Sequence, residues 1–310
     1  MSVMLSRLLK KASCRIIAKY ILVVLSIAWI FWACVSEQES YLREVYNNPD
    51  SERFYNNDGP FATEGYIAHG GGVGKYLYTN SKEAVYDSLQ RGFQFIELDI
   101  IETDDGHLLA AHDRDYFCKL TGLPLGSSLK STEVKDLKIN GEYTVLLGED
   151  IYRIMKSNPE MILVTDKITN YQLLMKEIPL PDRIIIECFS PHGVVQAKKC
   201  GFVHAAYSLF CPSQLSFSGR IGMKLHIMSD SLFFDFPGME RHIQQLHKSG
   251  VCVMMYGGRC DDASQMHHHL GKSMSKFYVG KYAPNQPPPC PTFNPSIEKR
   301  SLPGECRAVE

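Results

Sequence analysis

Short apolar runs alternate with longer segments of helical periodicity over most of the chain. The apolar runs that we predict to be strands span residues 66–69, 95–100, 108–112, 161–166, 184–189, 204–209, 225–228 and 251–256. Between them, residues 81–91, 148–157 and 239–249 have the pattern of helices, and the first and third are followed by glycine, which commonly ends a helix. Strands that alternate with helices indicate a parallel sheet. Eight such strands over about 220 residues match one (β/α)8 TIM barrel, so we predict an α/β fold of that class.

The chain begins with a segment that has the features of a membrane anchor. Residues 1–36 contain no Asp or Glu, their five basic residues all lie before residue 20, and residues 20–36 are uncharged. This run is slightly shorter than the ~20 residues that a bilayer needs, and a snorkelling Lys19 can supply the rest. Because basic residues precede the run and acidic residues follow it, the positive-inside rule keeps the N-terminus in the cytoplasm and exports the remaining chain. A cleaved signal peptide is the alternative, which we disfavour because no small-residue cleavage site follows the run.

These features divide the chain into five parts. We predict a cytoplasmic basic segment at residues 1–19, a single transmembrane helix at 20–36, a polar stalk at 37–59, the barrel domain at 60–284 and a proline-rich tail at 285–310. The protein is then a single-pass membrane protein with an extracytoplasmic catalytic domain. In that location Cys290 and Cys306 are a candidate disulfide pair, and their spacing alone leaves the pairing open.

Composition and charge exclude several classes of partner. The 310 residues are 45% hydrophobic and 22% charged, which suits a globular domain with a large core. A formal net charge of -1 gives no basic surface for nucleic acid, so we expect no nucleic-acid partner. The ten cysteines include no Cys-x-x-Cys pair, and a zinc site is not indicated.

Polar residues close four of the predicted strands in succession. In a barrel of this class, catalytic groups lie at the C-terminal ends of the strands. The residues at these ends are His69, Glu97 with Asp99, His112, and Asp166 with Lys167. Glu97 and Asp99 are two positions apart and so share one face of their strand, where two buried carboxylates need a compensating cation. Carboxylate oxygens suit Mg²⁺ or Ca²⁺, so we predict one divalent cation of this kind.

Two further positions are candidates for contact with a ligand. His69 is followed by three glycines, whose backbone amides can be directed at an oxyanion, and Gly70 is therefore a candidate phosphate contact. Glu187 ends the fifth apolar run and is a candidate substrate contact if its side chain faces the barrel mouth. One residue out of register, the same side chain would face the helices instead.

Several motifs in fixed order give the sequence a family resemblance. It resembles the glycerophosphodiester phosphodiesterase family, within the wider superfamily of phosphatidylinositol phospholipase C-like barrels. The motifs are His69-Gly70-Gly71, Thr79-Asn80-Ser81, Glu97-Leu98-Asp99, residues 103–106 and His112-Asp113. Beyond residue 167 only the rhythm of strands continues.

The resemblance implies roles for the residues at the strand ends. His69 and His112 would be the general acid and base. The carboxylates of Glu97, Asp99 and Asp166 would hold the divalent cation. The side chains of Asn80 and Lys167 would position the phosphate.

The sequence departs from the family pattern at three places. The family usually has Arg directly after the first His, and Gly70 stands there, which removes a bidentate phosphate partner. Lys167 and the cation would then carry more of the phosphate charge. The third metal acid is usually Glu and is the shorter Asp166 here, and residues 72–78 form a longer connection than is typical.

The resemblance implies a membrane-anchored, metal-dependent phosphodiesterase. It would hydrolyse a small or lipid-derived phosphodiester, giving glycerol phosphate and an alcohol by two-histidine acid and base catalysis. One alternative is an enzyme of the phospholipase C or D kind that acts on intact or lyso-phospholipids beside the membrane. Another is a catalytically silent barrel that binds a phosphate ligand.

Overall fold

The computed structural model describes residues 23–27, 29, 40–41, 65–211, 214, 225–229, 236–257 and 276–279. Residues 1–19, most of the predicted anchor and the whole predicted tail with Cys290 and Cys306 lie outside this part. Residues 23–27 are helical, with exposed apolar side chains such as Val24. In the part of the chain that is described, no helix is both long and apolar enough to cross a bilayer. The anchor and the location that follows from it stay predictions.

One described pair of residues falls in the predicted stalk. Tyr41 is partly buried and packs against the hydrophobic core, and the Nζ of Lys199 lies 5.2 Å from the centroid of its ring. At least this point of the segment at residues 37–59 therefore contacts the barrel.

Eleven strands are described, and eight of them form a parallel barrel. The strands are β1 Gly65–Ala68, β2 Phe95–Glu102, β3 Leu108–Ala110, β4 Lys138–Ile139, β5 Tyr143–Thr144, β6 Ile162–Asp166, β7 Ile184–Cys188, β8 His204–Leu209, β9 Leu225–Ser229, β10 Cys252–Tyr256 and β11 Lys276–Val279. The order around the barrel is β1-β2-β6-β7-β8-β9-β10-β11, and β1 pairs with both β2 and β11, so the ring closes. The predicted (β/α)8 class is confirmed.

One predicted strand was placed wrongly and one barrel strand was missed. The run at residues 108–112 gives β3, which pairs antiparallel with the end of β2 and lies outside the barrel. The tight turn between β2 and β3 leaves no room for the crossover that a parallel pair requires, so the two strands form a hairpin. The eighth barrel strand is β11, whose Phe-Tyr-Val run we did not identify.

Seven helices surround the barrel in the described part of the chain. They are α1 Lys82–Gln90, α2 Arg114–Thr121, α3 Ser131–Val134, α4 Gly148–Ser157, α5 Tyr171–Glu177, α6 Pro191–Lys199 and α7 Met239–Lys248. The three helices predicted from the sequence are α1, α4 and α7, with ends within one residue or so of the prediction. Ser81 explains the start of α1, because its hydroxyl accepts a hydrogen bond from the Ala84 amide.

The alternation of side chains along each strand divides the core into two layers. Ile67, Phe95, Val164 and Ile185 pack together inside the barrel, whereas Leu98 and its counterparts on other strands pack between barrel and helices. A smaller third cluster forms beneath α2, α3 and the β4–β5 hairpin, all of which are inserted between β2 and β6. This alternation also decides which residues at the strand ends enter the barrel mouth.

Candidate active site

A cavity of about 610 Å³ opens at the C-terminal ends of the barrel strands. The inward positions of β1, β2, β6 and β7 continue into it, because the period that buries Ile67 in the barrel also turns His69 inward. Both predicted histidines and all three predicted metal acids line this one cavity. Its polar lining is His69, Glu97, Asp99, His112, Asp113, Asp166, Lys167 and Glu187, and its aromatic lining is Tyr78, Tyr116, Phe189, Phe210, Tyr256 and Tyr278.

Glu97, Asp99 and Asp166 form a compact group, hereafter the acid cluster. Asp99 on β2 is the register partner of Asp166 on β6. One carboxylate oxygen from each residue lies within 4.8 Å of the others. The three residues are 4%, 5% and 8% exposed. Parallel pairing of β2 with β6 is thus what brings together acids that are 67 positions apart in the sequence.

The electrostatics of the acid cluster favour a bound cation. Burial, followed by the charges of Asp99 and Asp166, raises the pKa of Glu97 well above its usual range. Burial and then the charge of Asp99 raise the pKa of Asp166 to about 6. The Oδ1 atom of Asp166 is buried and has no hydrogen-bond partner among the described residues. Three converging carboxylates with an unsatisfied oxygen are the donor set that a hard divalent cation prefers, so the residues fit the predicted Mg²⁺ or Ca²⁺.

Lys167 lies beside the acid cluster. Its Nζ is 2.6 Å from Asp166 Oδ2 and 3.7 Å from Asp99 Oδ1. Burial lowers the pKa of Lys167, but the nearby negative charges, chiefly that of Asp166, raise it by more in total, and the ammonium stays charged. One ammonium compensates only part of the charge of three carboxylates.

Asn80 and Gly70 hold two of the carboxylates in place. The Nδ2 of Asn80 donates to Asp99 Oδ2 at 3.0 Å, and the Asp99 amide donates to Asn80 Oδ1 at 3.0 Å. The Gly70 amide donates to Glu97 Oε2 at 2.6 Å. Both groups that we predicted to bind phosphate are therefore engaged with carboxylates, and neither lines the cavity. Direct contact with phosphate stays a prediction for both residues.

The presence of glycine at position 70, where the glycerophosphodiester phosphodiesterase pattern usually has Arg, has a steric explanation in this fold. Gly70 has φ +59°, and a Cβ atom at this position would lie 2.6 Å from the Cα of Tyr78. The longer connection at residues 72–78 folds back over Gly70 and fills the space in which a side chain would begin. Glycine is thus required here both by the backbone conformation and by the close approach of Tyr78.

His69 is held between two tyrosines. Its ring packs edge to face against Tyr78, with centroids 4.7 Å apart, and against Tyr278, with centroids 5.3 Å apart. Its Nε2 lies 4.0 Å from Glu97 Oε2. We did not predict these aromatic neighbours, because Tyr78 ends the irregular connection at residues 72–78 and Tyr278 is on the strand that we missed.

His112 forms a dyad with the residue that follows it. Its Nδ1 lies 2.7 Å from Asp113 Oδ2, while Asp113 Oδ1 accepts a 2.7 Å hydrogen bond from the Tyr116 amide and caps α2. A carboxylate at Nδ1 selects the tautomer with the proton on that nitrogen, which leaves Nε2 for a substrate. We did not predict this role for Asp113, although an Asp directly before a helix is a recognisable N-cap.

Glu187 lies in the cavity beside the acid cluster. It points inward from β7, and the Ser208 hydroxyl on β8 donates to its Oε1 at 2.6 Å. Burial and then the charge of Asp166 raise its pKa to about 8. The orientation required for a substrate contact is therefore present, and the contact itself stays a prediction.

Fold and cavity together define a TIM barrel with a cluster of carboxylates and His69 at the C-terminal ends of its strands. His112 reaches the same cavity from the segment that follows β3, outside the barrel. No family model matches the sequence, and no curated protein matches it. Solved structures of glycerophosphodiester phosphodiesterases do share the fold.

Three solved structures illustrate the likeness. The enzyme from Parabacteroides distasonis has a TM-score of 0.56 and 17% identity, over 70% of this chain and 82% of its own. That from Agrobacterium tumefaciens has a TM-score of 0.54 and 16% identity, over 72% and 98%. A phosphodiesterase from Oleispira antarctica, in complex with its product sn-glycerol-3-phosphate, has a TM-score of 0.54 and 14% identity, over 70% and 92%. The fold that the resemblance implied is thus the fold of solved glycerophosphodiester phosphodiesterase structures.

Proposed function

We propose that the chain is a metal-dependent phosphodiesterase that hydrolyses glycerophosphodiesters. The observation that carries this proposal is the convergence of the acid cluster, His69 and His112 on one cavity at the barrel mouth. The fold likeness to glycerophosphodiester phosphodiesterases, and to a phosphodiesterase that holds its product sn-glycerol-3-phosphate, supports the choice of substrate.

The charge of the substrate explains why these residues are needed. A divalent cation in the acid cluster would supply positive charge to the phosphoryl oxygens, as such ions do in other phosphoryl-transfer sites. Glu97, Asp99 and Asp166 hold that charge in place. Lys167 adds a fixed positive charge at the same edge of the cavity. Phosphodiester anions are thereby attracted to a cavity whose own side chains are mostly acidic.

The two histidines move the protons. One of them removes the proton of the nucleophile, which is water or a neighbouring hydroxyl of the substrate, and the other protonates the leaving alkoxide. Asp113 orients the His112 ring through the 2.7 Å contact between its Oδ2 and the ring Nδ1. His69 is oriented by its edge contacts with Tyr78 and Tyr278.

An exposed aromatic pair favours a second candidate substrate, a lyso- or intact phospholipid. Phe189 and Phe210 stack at the cavity rim with ring centroids 6.0 Å apart and are 47% and 46% exposed. Exposed apolar surface at a polar site suits a substrate with an apolar substituent. The predicted anchor would hold the barrel beside such substrates.

The membrane location is part of the same proposal. The uncharged run at residues 20–36 would anchor the chain, with the N-terminus in the cytoplasm and the barrel outside. Protease treatment of intact cells tests this topology. Cleavage of the barrel from outside supports it, and full protection of the barrel contradicts it.

The function is tested with the full chain, purified in detergent and supplied with Mg²⁺ or Ca²⁺. Glycerophosphocholine, lysophosphatidylcholine and phosphatidylcholine are offered separately, and the released products are measured. We expect His69→Ala and His112→Ala each to lower turnover by about 10²- to 10⁴-fold, the usual contribution of a general acid or base.

The matched control is His247→Ala, which removes an exposed histidine on α7. It should turn over substrate like the unaltered chain. Full activity in both cavity-histidine variants would refute the catalytic assignment. Binding of Mg²⁺ or Ca²⁺ without cleavage of any substrate would favour the silent barrel.

A further inference from the structure

Tyr278 occupies a central place in the cavity that the mechanism above does not use. It lies on β11 opposite Ile67 of β1, points into the barrel and is 3% exposed. Its ring packs edge to face against His69, with centroids 5.3 Å apart, and against Tyr256, with centroids 6.2 Å apart. These two contacts fix the plane of the ring and therefore the direction of its hydroxyl.

The hydroxyl of Tyr278 is buried without a hydrogen-bond partner among the described residues. Leaving a buried polar group unpaired costs about 1–3 kcal/mol, and such groups are uncommon in folded proteins. Burial and then the negative charge of Glu187 raise its pKa well above the usual range, so the phenol stays protonated. It is a neutral donor in the lining of the cavity, close enough to Glu187, Glu97 and Asp166 for their charges to act on it.

Four other donors near the acid cluster have acceptors among the described residues. The backbone amide of Gly70 donates to Glu97, and the side-chain amide of Asn80 donates to Asp99. The Lys167 ammonium donates to Asp166. The Ser208 hydroxyl donates to Glu187. A phosphodiester that enters the cavity meets five acidic side chains and needs donors that are not taken up by them.

We propose that Tyr278 binds substrate, its hydroxyl donating a hydrogen bond to a non-bridging phosphoryl oxygen. This assignment rests on the proposed function and adds a residue to it. Anionic oxygens are the strongest acceptors for such a donor, and an uncharged phenol adds attraction without a further charge beside the cation site. The same hydrogen bond would persist in the complex with a phosphomonoester product.

The experiment compares the unaltered full chain with Tyr278→Phe, both loaded with Mg²⁺. The substitution keeps the ring and its edge contacts and removes only the hydroxyl. We expect the dissociation constant for sn-glycerol-3-phosphate, measured by calorimetry, and KM for glycerophosphocholine each to rise about 10-fold, as for the loss of one hydrogen bond to a charged group. The affinity for Mg²⁺ in the absence of phosphate should stay the same. The midpoint of thermal unfolding should stay the same or rise.

The matched control is Tyr171→Phe, which removes another buried tyrosine hydroxyl, 3.6 Å from Cys188 Sγ and outside the cavity. It should leave both constants unchanged. Equal sn-glycerol-3-phosphate affinity in Tyr278→Phe and the unaltered chain would overturn the assignment alone. A parallel loss of Mg²⁺ affinity would also overturn it, because the ring would then have moved. An unaltered chain that binds no sn-glycerol-3-phosphate would overturn the assignment together with the proposed function.

Discussion

At the scale of single residues, backbone strain is concentrated around the acid cluster. Tyr78, Asn80 and Lys167 have positive φ angles of 59°, 50° and 61°. Such conformations cost about 1–3 kcal/mol each and persist only where the surroundings hold them. The Tyr78 ring packs against His69, the Asn80 side chain donates to Asp99, and the Lys167 ammonium contacts Asp166. The strain is therefore part of how the carboxylates and the first histidine are positioned.

Gly70 allows a test of the close approach by Tyr78. Gly70→Ala adds a Cβ atom 2.6 Å from the Tyr78 Cα and also places alanine at φ +59°. We expect it to lower the free energy of unfolding by about 3 kcal/mol, because steric overlap adds to the cost of the left-handed backbone. The measurement is urea denaturation of the full chain.

Gly74→Ala is the matched control for this experiment. Gly74 has φ +62°, and no atom lies within 4 Å of a Cβ built there. Its substitution should cost only about 1 kcal/mol, the price of the backbone conformation. If the two variants lost equal stability, the proposed contact between Gly70 and the connection at residues 72–78 would be wrong.

At the scale of elements, the register of β2 and β6 creates both the acid cluster and a pH-dependent weakness of the chain without a bound cation. Asp166 has its pKa raised from 3.8 to about 6, which means that folding favours its neutral form. Its contribution to stability is therefore greatest below about pH 4 and is lost as the pH rises through about 6. Glu187, with a pKa of about 8, extends the loss to higher pH.

We predict that Asp166→Asn removes this pH dependence. The midpoint of thermal unfolding is measured for both chains in excess EDTA. The midpoint of the variant should exceed that of the unaltered chain by a margin that grows from about pH 5 to about pH 7. The two chains must be compared because His204 and His226 have pKa values lowered to about 3 and about 4. These two histidines make the folded state more stable as the pH rises over part of this range, in both chains.

Cation binding should reverse the effect in the unaltered chain. Mg²⁺ or Ca²⁺ at about 100 times its dissociation constant stabilises the folded state by about 2.7 kcal/mol, which raises the midpoint by about 5–10 °C for a chain of this size. Asp166→Asn should gain less. A difference between variants that stays flat with pH would show that Asp166 is not desolvated as the structure has it.

The sequence predicted these elements unevenly, for physical reasons. The two-residue period of β2 was enough to place Glu97 and Asp99 on one inward face, and Ser81 was enough to start α1. The run that forms β3 was mistaken for a barrel strand because an apolar run has the same pattern in parallel and antiparallel pairs. β11 was missed because its four residues stand alone between polar segments.

At the scale of the whole molecule, barrel closure makes the cavity asymmetric. His69, the acid cluster and Lys167 come from β1, β2 and β6 or directly after them, and Phe189, Phe210, Tyr256 and Tyr278 come from β7, β8, β10 and β11. A substrate that spans the cavity would place its phosphate against the first group and the hydroxyl of Tyr278, and its organic substituent against Phe189, Phe210 and Tyr256.

Closure also explains which features of the site the sequence could not show. Ile67 and Tyr278 are register partners although 211 positions separate them, and only the pairing of β1 with β11 brings them together. Local patterns predicted the residues of the N-terminal half of the site. The aromatic half depends on contacts between distant strands.

The central claim is that the acid cluster holds the cation on which phosphodiester cleavage depends. The most direct measurement is hydrolysis of glycerophosphocholine by the full chain after removal of metal with EDTA, followed by titration with Mg²⁺ or Ca²⁺. We predict no turnover in the chelator, recovery as the cation is added, and no recovery in Asp99→Asn, whose carboxylate is one of the three ligands. Turnover that is equally fast in the chelator and in the cation would contradict the account.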